Sequence, residues 1–96
     1  MFELVYRTTR PKGATWFYLQ YPAEHQEWQS WLESQPGFVW FQSEQVSDEV
    51  KELRYWFTDE TACDNFLSNR TLVDQTHRQH DQDQGITREI ISRGSI

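Results

Sequence analysis

A single cysteine, Cys63, in 96 residues rules out an internal disulfide and suits a reducing compartment. Lysine and arginine are scarce, nine against fifteen aspartates and glutamates, leaving a formal charge of −6. So few cations cannot neutralise a phosphate backbone or hold an anionic bilayer, so neither nucleic acid nor a membrane is an expected partner. No apolar run approaches the ~20 residues that span a bilayer. The opening Phe2-Glu3-Leu4-Val5-Tyr6 lacks the basic and apolar regions of a secretory leader. The expectation is a cytoplasmic protein. There is no CxxC, HExxH, glycine-rich phosphate loop or Ser-His-Asp order, and no internal repeat.

What the chain has is aromatic rings. Five Trp, four Tyr and six Phe make up 16% of it, although the mean hydropathy is −0.86. The apolar content is therefore held by a few large side chains, enough for one compact core. Residues 1–96 read as a single domain, small enough to have little stability in reserve. Charge is uneven. Residues 1–23 hold Arg7, Arg10 and Lys12 against Glu3, whereas residues 24–60 hold nine acids against Lys51 and Arg54. That acidic stretch reads first as a solvated surface, and second as a docking face for a partner.

Phe2 to Thr8 alternates as a strand, and Pro11 and Gly13 mark a turn after it. Thr15 to Gln20 has strand composition, giving either a hairpin or one interrupted edge strand. Pro22 opens a helix with Glu24 and Glu27 near its positive end. Trp28, Trp31, Leu32 and Gln35 form its apolar stripe, and Pro36-Gly37 ends it. Phe38 to Gln45 and Lys51 to Phe57 are the next strands, close enough to form a hairpin. Thr58 or Asp59 caps a second helix with Ala62, Cys63, Phe66 and Leu67 at core spacing and a weak point at Asn69-Arg70-Thr71. Leu72, Val73 and a polar stretch follow to Gly85, with His77 to Gln84 read as an exposed, fraying end. Ile86 to Arg93 is the last strand.

That order predicts an α+β, ferredoxin-like split βαβ domain, an antiparallel sheet with two helices on one face. Phe38-Val39-Trp40-Phe41 and Leu53-Arg54-Tyr55-Trp56-Phe57 look apolar on both faces. The helices cover one; a second copy, a ligand or a partner protein must cover the other.

The surplus of aromatic rings supplies site candidates, and a family resemblance carried by residues 55–69 adds Phe57 and His77 to them. Trp28, Trp31, Trp56, Phe57 and His77 are candidates for a pocket; Trp16, Tyr18, Trp40 and Tyr55 are candidates for a dimer interface. Trp56 and Phe57 alternate to opposite faces, so one belongs to the interface and the other to the helix-covered side. His77 and His80 share a helix face and could bind a metal with Asp74, Asp81 or Asp83, but flexible Gln and Asp neighbours favour a solvated helix end, so no metal site is assigned. His25 reads as surface and Cys63 as a buried, inert thiol.

The segment Tyr55-Trp56-Phe57-Thr58-Asp59-Glu60-Thr61-Ala62-Cys63-Asp64-Asn65-Phe66-Leu67-Ser68-Asn69 resembles the strand-to-helix passage of the antibiotic-biosynthesis-monooxygenase family of dimeric α+β barrels. The first helix running into Pro36-Gly37 and an aromatic strand is similar too. The resemblance implies a homodimer whose open sheet faces pack together, a cavity for a hydrophobic or aromatic small molecule, and oxygenation without a cofactor. The haem-degrading branch of the family uses an Asn on the first strand, a Trp closing the third and a His on the second long helix. Here no Asn precedes Asn65, Phe57 takes the place of the Trp, and His77 lies one residue late, so haem degradation is not implied. The alternative is a non-enzymatic acidic regulatory or viral accessory protein that binds a protein partner through its aromatic face or acidic surface.

Overall fold

The computed structural model describes residues 1–96. Its order is β1 (Phe2–Thr9), α1 (Phe17–Gln20), α2 (Pro22–Glu33), β2 (Phe38–Gln45), β3 (Val50–Phe57), α3 (Glu60–Arg70), α4 (Gln75–Gln84) and β4 (Thr87–Ser95). The four strands form one antiparallel sheet in the order β2-β3-β1-β4, the ferredoxin-like arrangement expected. Asp59 caps α3 by accepting from Ala62 N, and Gly85 ends α4 with φ 72°.

Alternation divides the sheet residues cleanly. Phe2, Leu4, Tyr6, Tyr55 and Phe57 point toward the helices and join Trp28, Leu32, Cys63 and Phe66 in one core cluster. Gly37, at φ 79°, turns the chain from α2 into β2 so tightly that a Cβ there would lie 2.5 Å from Ala62 Cβ.

Three expectations are corrected. Thr15 to Gln20 holds no strand: β1 is central, flanked by β3 and β4, so no sheet edge is left for a hairpin with it. The aromatic run instead winds into α1, and Arg10 holds the preceding loop with Nε donating to Asp48 O at 2.8 Å and Nη1 to Ala14 O at 2.7 Å. His77 to Gln84 is an ordered helix, not a frayed end. His80 is 5% exposed because it packs inward, while Leu72 and Val73 lie exposed in the break between α3 and α4.

The open sheet face is also less apolar than expected. Glu3 pairs with Arg54 at 3.1 Å and Arg7 with Glu52 at 3.7 Å across it. Its aromatic part is a pair: Trp40 and Trp56 rings lie 4.6 Å apart. A register shift between Phe38 and Trp40 places Trp40 opposite Trp56, leaving Phe38 and Phe41 on the helix side.

Candidate functional site

Beneath the helix-covered side of the sheet lies a cavity of about 330 Å³. The sheet is its floor and α1, α2 and α4 are its walls. From β1 comes Thr8; from β2, Phe41 and Ser43; from β3, Lys51, Leu53 and Tyr55; from β4, Arg88. Trp16, Phe17 and Tyr18 lie at α1, and α2 contributes His25, Trp28 and Gln29. His77 and Asp81 complete it from α4.

The wall is assembled by α1 and α4. Phe17 stacks on His77 with ring centroids 4.3 Å apart, and Tyr21 and His80 lie 5.4 and 5.6 Å from the same Phe17 ring. His80 Nε2 is 2.7 Å from Thr15 O, and because a carbonyl only accepts, this nitrogen carries the proton and donates. Gln84 Oε1 accepts from Thr15 N at 3.1 Å. The polar side of α4 thus secures the aromatic loop over the cavity.

Electrostatics inside differ from those of the surface. Arg88 Nη2 lies 2.7 Å from His77 Nε2 and 3.3 Å from Asp81 Oδ2. A guanidinium only donates, so His77 Nε2 accepts and its proton sits on Nδ1. Burial, reinforced by Arg88, pushes His77 from 6.5 down to about 2. Its 3.5 Å approach to Asp81 is therefore not an ion pair. Burial and then Lys51 lower His25 in the same sense, and burial raises Asp81 despite the nearby Arg88. Lys51 Nζ lies 3.7 Å from the Tyr18 ring centroid and 4.9 Å from that of Trp16, and it makes no salt bridge. Four polar atoms of lining residues, Thr8 Oγ1, Trp28 Nε1, His77 Nδ1 and Arg88 Nε, are buried without a hydrogen-bond partner.

Of the pocket candidates, Trp28 and His77 line this cavity. Trp31 packs on Phe66 and borders the cleft between α2 and α4. Phe57 is wholly buried in the core. Trp56 lies on the open face, where its indole N–H donates to Glu3 Oε2 at 2.8 Å and holds that carboxyl below its ordinary range. Of the interface candidates, Trp40 is on the open face, whereas Trp16 and Tyr18 line the cavity and Tyr55 is part of its floor. Trp56 and Tyr55 have thus changed places, because core alternation in β3 falls on the odd-numbered residues. Cys63 is buried, and burial raises its thiol above the ordinary value. No three His, Cys, Asp or Glu side chains converge to hold a metal ion.

Lys51, Arg88, Thr8 and His25 were not among the expected site residues. Their signal was present as charge or hydroxyl in core phase: Lys51 continues the alternation of Leu53, Tyr55 and Phe57, and Thr8 that of Leu4 and Tyr6.

A four-stranded antiparallel sheet of this order, with helices on one face and a cavity between the layers, defines a ferredoxin-like α+β domain. Neither a family model nor a curated protein sequence matches the chain. Among solved structures it is similar to SnoaB, a cofactor-independent oxygenase from Streptomyces nogalater, crystallised as a point mutant, with a TM-score of 0.58 and 15% identity over 95% of this chain and 90% of that one. The likeness is one of fold, and it supports the ferredoxin-like arrangement expected from the order of the elements. No helix is long and apolar enough to cross a membrane.

Proposed function

We propose that the protein is a cytoplasmic homodimer that binds a hydrophobic aromatic small molecule in the cavity beneath the sheet and oxygenates it without a cofactor. The carrying observation is the cavity itself. It is lined by aromatic rings yet keeps unpartnered donors, and its volume falls in the range of small-molecule sites. The fold shared with SnoaB, described as a cofactor-independent oxygenase, supports the same reading.

Oxygenation of this kind makes the substrate its own reductant. A hydroxyarene gives up its phenolic proton, the resulting anion passes electrons to O2, and one oxygen atom enters the ring while the other leaves as water, giving a quinone. His25, which lines the cavity and is kept neutral by burial and then by Lys51, offers an unprotonated ring nitrogen as the base, although the same causes weaken its hold on the proton. The second copy covers the open face through Trp40 and Trp56, the aromatic pair left there.

The test is oxygen consumption with hydroxynaphthalenes in chelator-treated buffer, alongside quenching of Trp fluorescence on binding. Uptake of one O2 per quinone formed, abolished by His25→Ala while quenching persists, is the expected result. Quenching without uptake would reduce the protein to a binding module, and neither response would overturn the reading. Oxygen uptake that survives His25→Ala would remove His25 as the base.

A further inference from the structure

The helix-covered face of the sheet contains a row that the aromatic cavity alone does not account for. Thr8 is paired with Lys51 on one side and Arg88 on the other, so the three side chains stand abreast across β3, β1 and β4, roughly 10 Å from end to end. All three line the cavity. Thr8 is 5% exposed and its hydroxyl has no partner; Arg88 Nε and, from the opposite wall, the indole N–H of Trp28, itself 8% exposed, are unpartnered as well. Buried donors left unmade are costly, and three of them belong to residues that line one cavity, which favours a ligand that brings an acceptor.

The charge count points the same way. In a chain of net charge −6, the cavity holds Lys51 and Arg88 against Asp81, which is paired with Arg88. His25 and His77 are held neutral. One cation, Lys51, is left without a carboxylate, resting against Tyr18 and Trp16. Lys51 is thus the charged lining group without an oppositely charged partner, and it stands in the same row as the unpartnered donors of Thr8 and Arg88.

We propose that the ligand of this cavity is an aromatic carboxylate, its head group on the Lys51–Thr8–Arg88 row and its rings between Trp28, Phe41 and Tyr55. The proposal rests on the reading of the cavity as an aromatic small-molecule site and names the class of that molecule. A monoanion matches the single uncompensated cation, and an oxygen acceptor matches the hydroxyl and N–H donors. Trp28 and Tyr55, edge to face with centroids 6.4 Å apart, offer apolar ring surface above it.

Titration calorimetry with 2-naphthoate and 2-naphthamide, which share size and shape and differ in charge, separates the two layers of the argument. The expected result is naphthoate bound at least about tenfold more tightly. In Lys51→Gln most of that preference is lost, and in Thr8→Val it is weakened, while naphthamide affinity is retained as the sign of a folded cavity. Lys12→Gln, which removes an exposed cation, keeps the preference. Equal affinity for both compounds overturns the carboxylate row and leaves the aromatic cavity standing. Binding of neither overturns both.

Discussion

The ring of Phe17 lies flat on the imidazole of His77, 4.3 Å between centroids and 7° from parallel. This contact joins the four-residue helix α1 to α4, so that a short aromatic run and a polar tract form one wall of the cavity. Phe17→Ala should cost about 3 kcal/mol, the usual loss for a buried phenylalanine. It should also speed amide exchange in α4 ahead of the sheet. Urea titration and hydrogen exchange check this; unchanged protection in α4 would show the two helices to be independent.

The state of His77 makes stability depend on pH. The unfolded chain takes up a proton near 6.5, whereas the folded one holds His77 neutral down to about 2. The folded state thus binds fewer protons below 6.5. The contribution is full above that value and is lost as pH falls, at roughly 1.4 kcal/mol per unit once the unfolded imidazole is charged. His25 acts in the same sense and Asp81 in the opposite one. The urea midpoint should therefore fall between pH 7.5 and 5.5, and His77→Gln, whose amide oxygen still accepts from Arg88, should flatten the slope. A mutant with the wild-type slope would contradict this assignment.

Thr8 provides a test of opposite sign. Its hydroxyl is buried and unpartnered, so replacing it with a methyl removes a desolvation cost. Thr8→Val should raise the stability of the ligand-free protein by about 1 kcal/mol, or roughly 4–8 °C in Tm for a domain of this size. A drop in Tm would mean that the hydroxyl is satisfied within the protein.

On the open face, Trp56 packs on Trp40 and donates to Glu3, with no helix above it. Trp56→Glu sets a charge into the proposed dimer interface and opposite Glu3. Sedimentation should shift from dimer toward monomer while far-ultraviolet dichroism is retained. A wild-type protein that sediments as a monomer would sink the dimer outright.

Much of the fold was legible because local rules and tertiary demands agree. Alternation set the faces of β1 and β3, Pro22 and Asp59 marked helix starts, and Gly85 marked a helix end. The site was less legible. Lys51 and Thr8 stand in core phase, which signals a polar group under the helices, but only strand pairing shows that they adjoin Arg88, 37 residues beyond Lys51 in the chain. Likewise the polar letters of His77 to Gln84 carry no sign that Phe17 lies against them, since hydropathy is read along the chain and stacking occurs between distant segments.

The sequence by itself determined the order of the four sheet strands, the aromatic core and which residues of β1 and β3 share a face, because each depends on period and on nearest neighbours. Tertiary structure alone decided three things: that Thr15 to Gln20 cannot be a strand, that a bulge turns Trp40 to the open face, and that cations and unpartnered donors meet in one cavity. Each depends on what is already paired or packed elsewhere in the sheet, which no local pattern records.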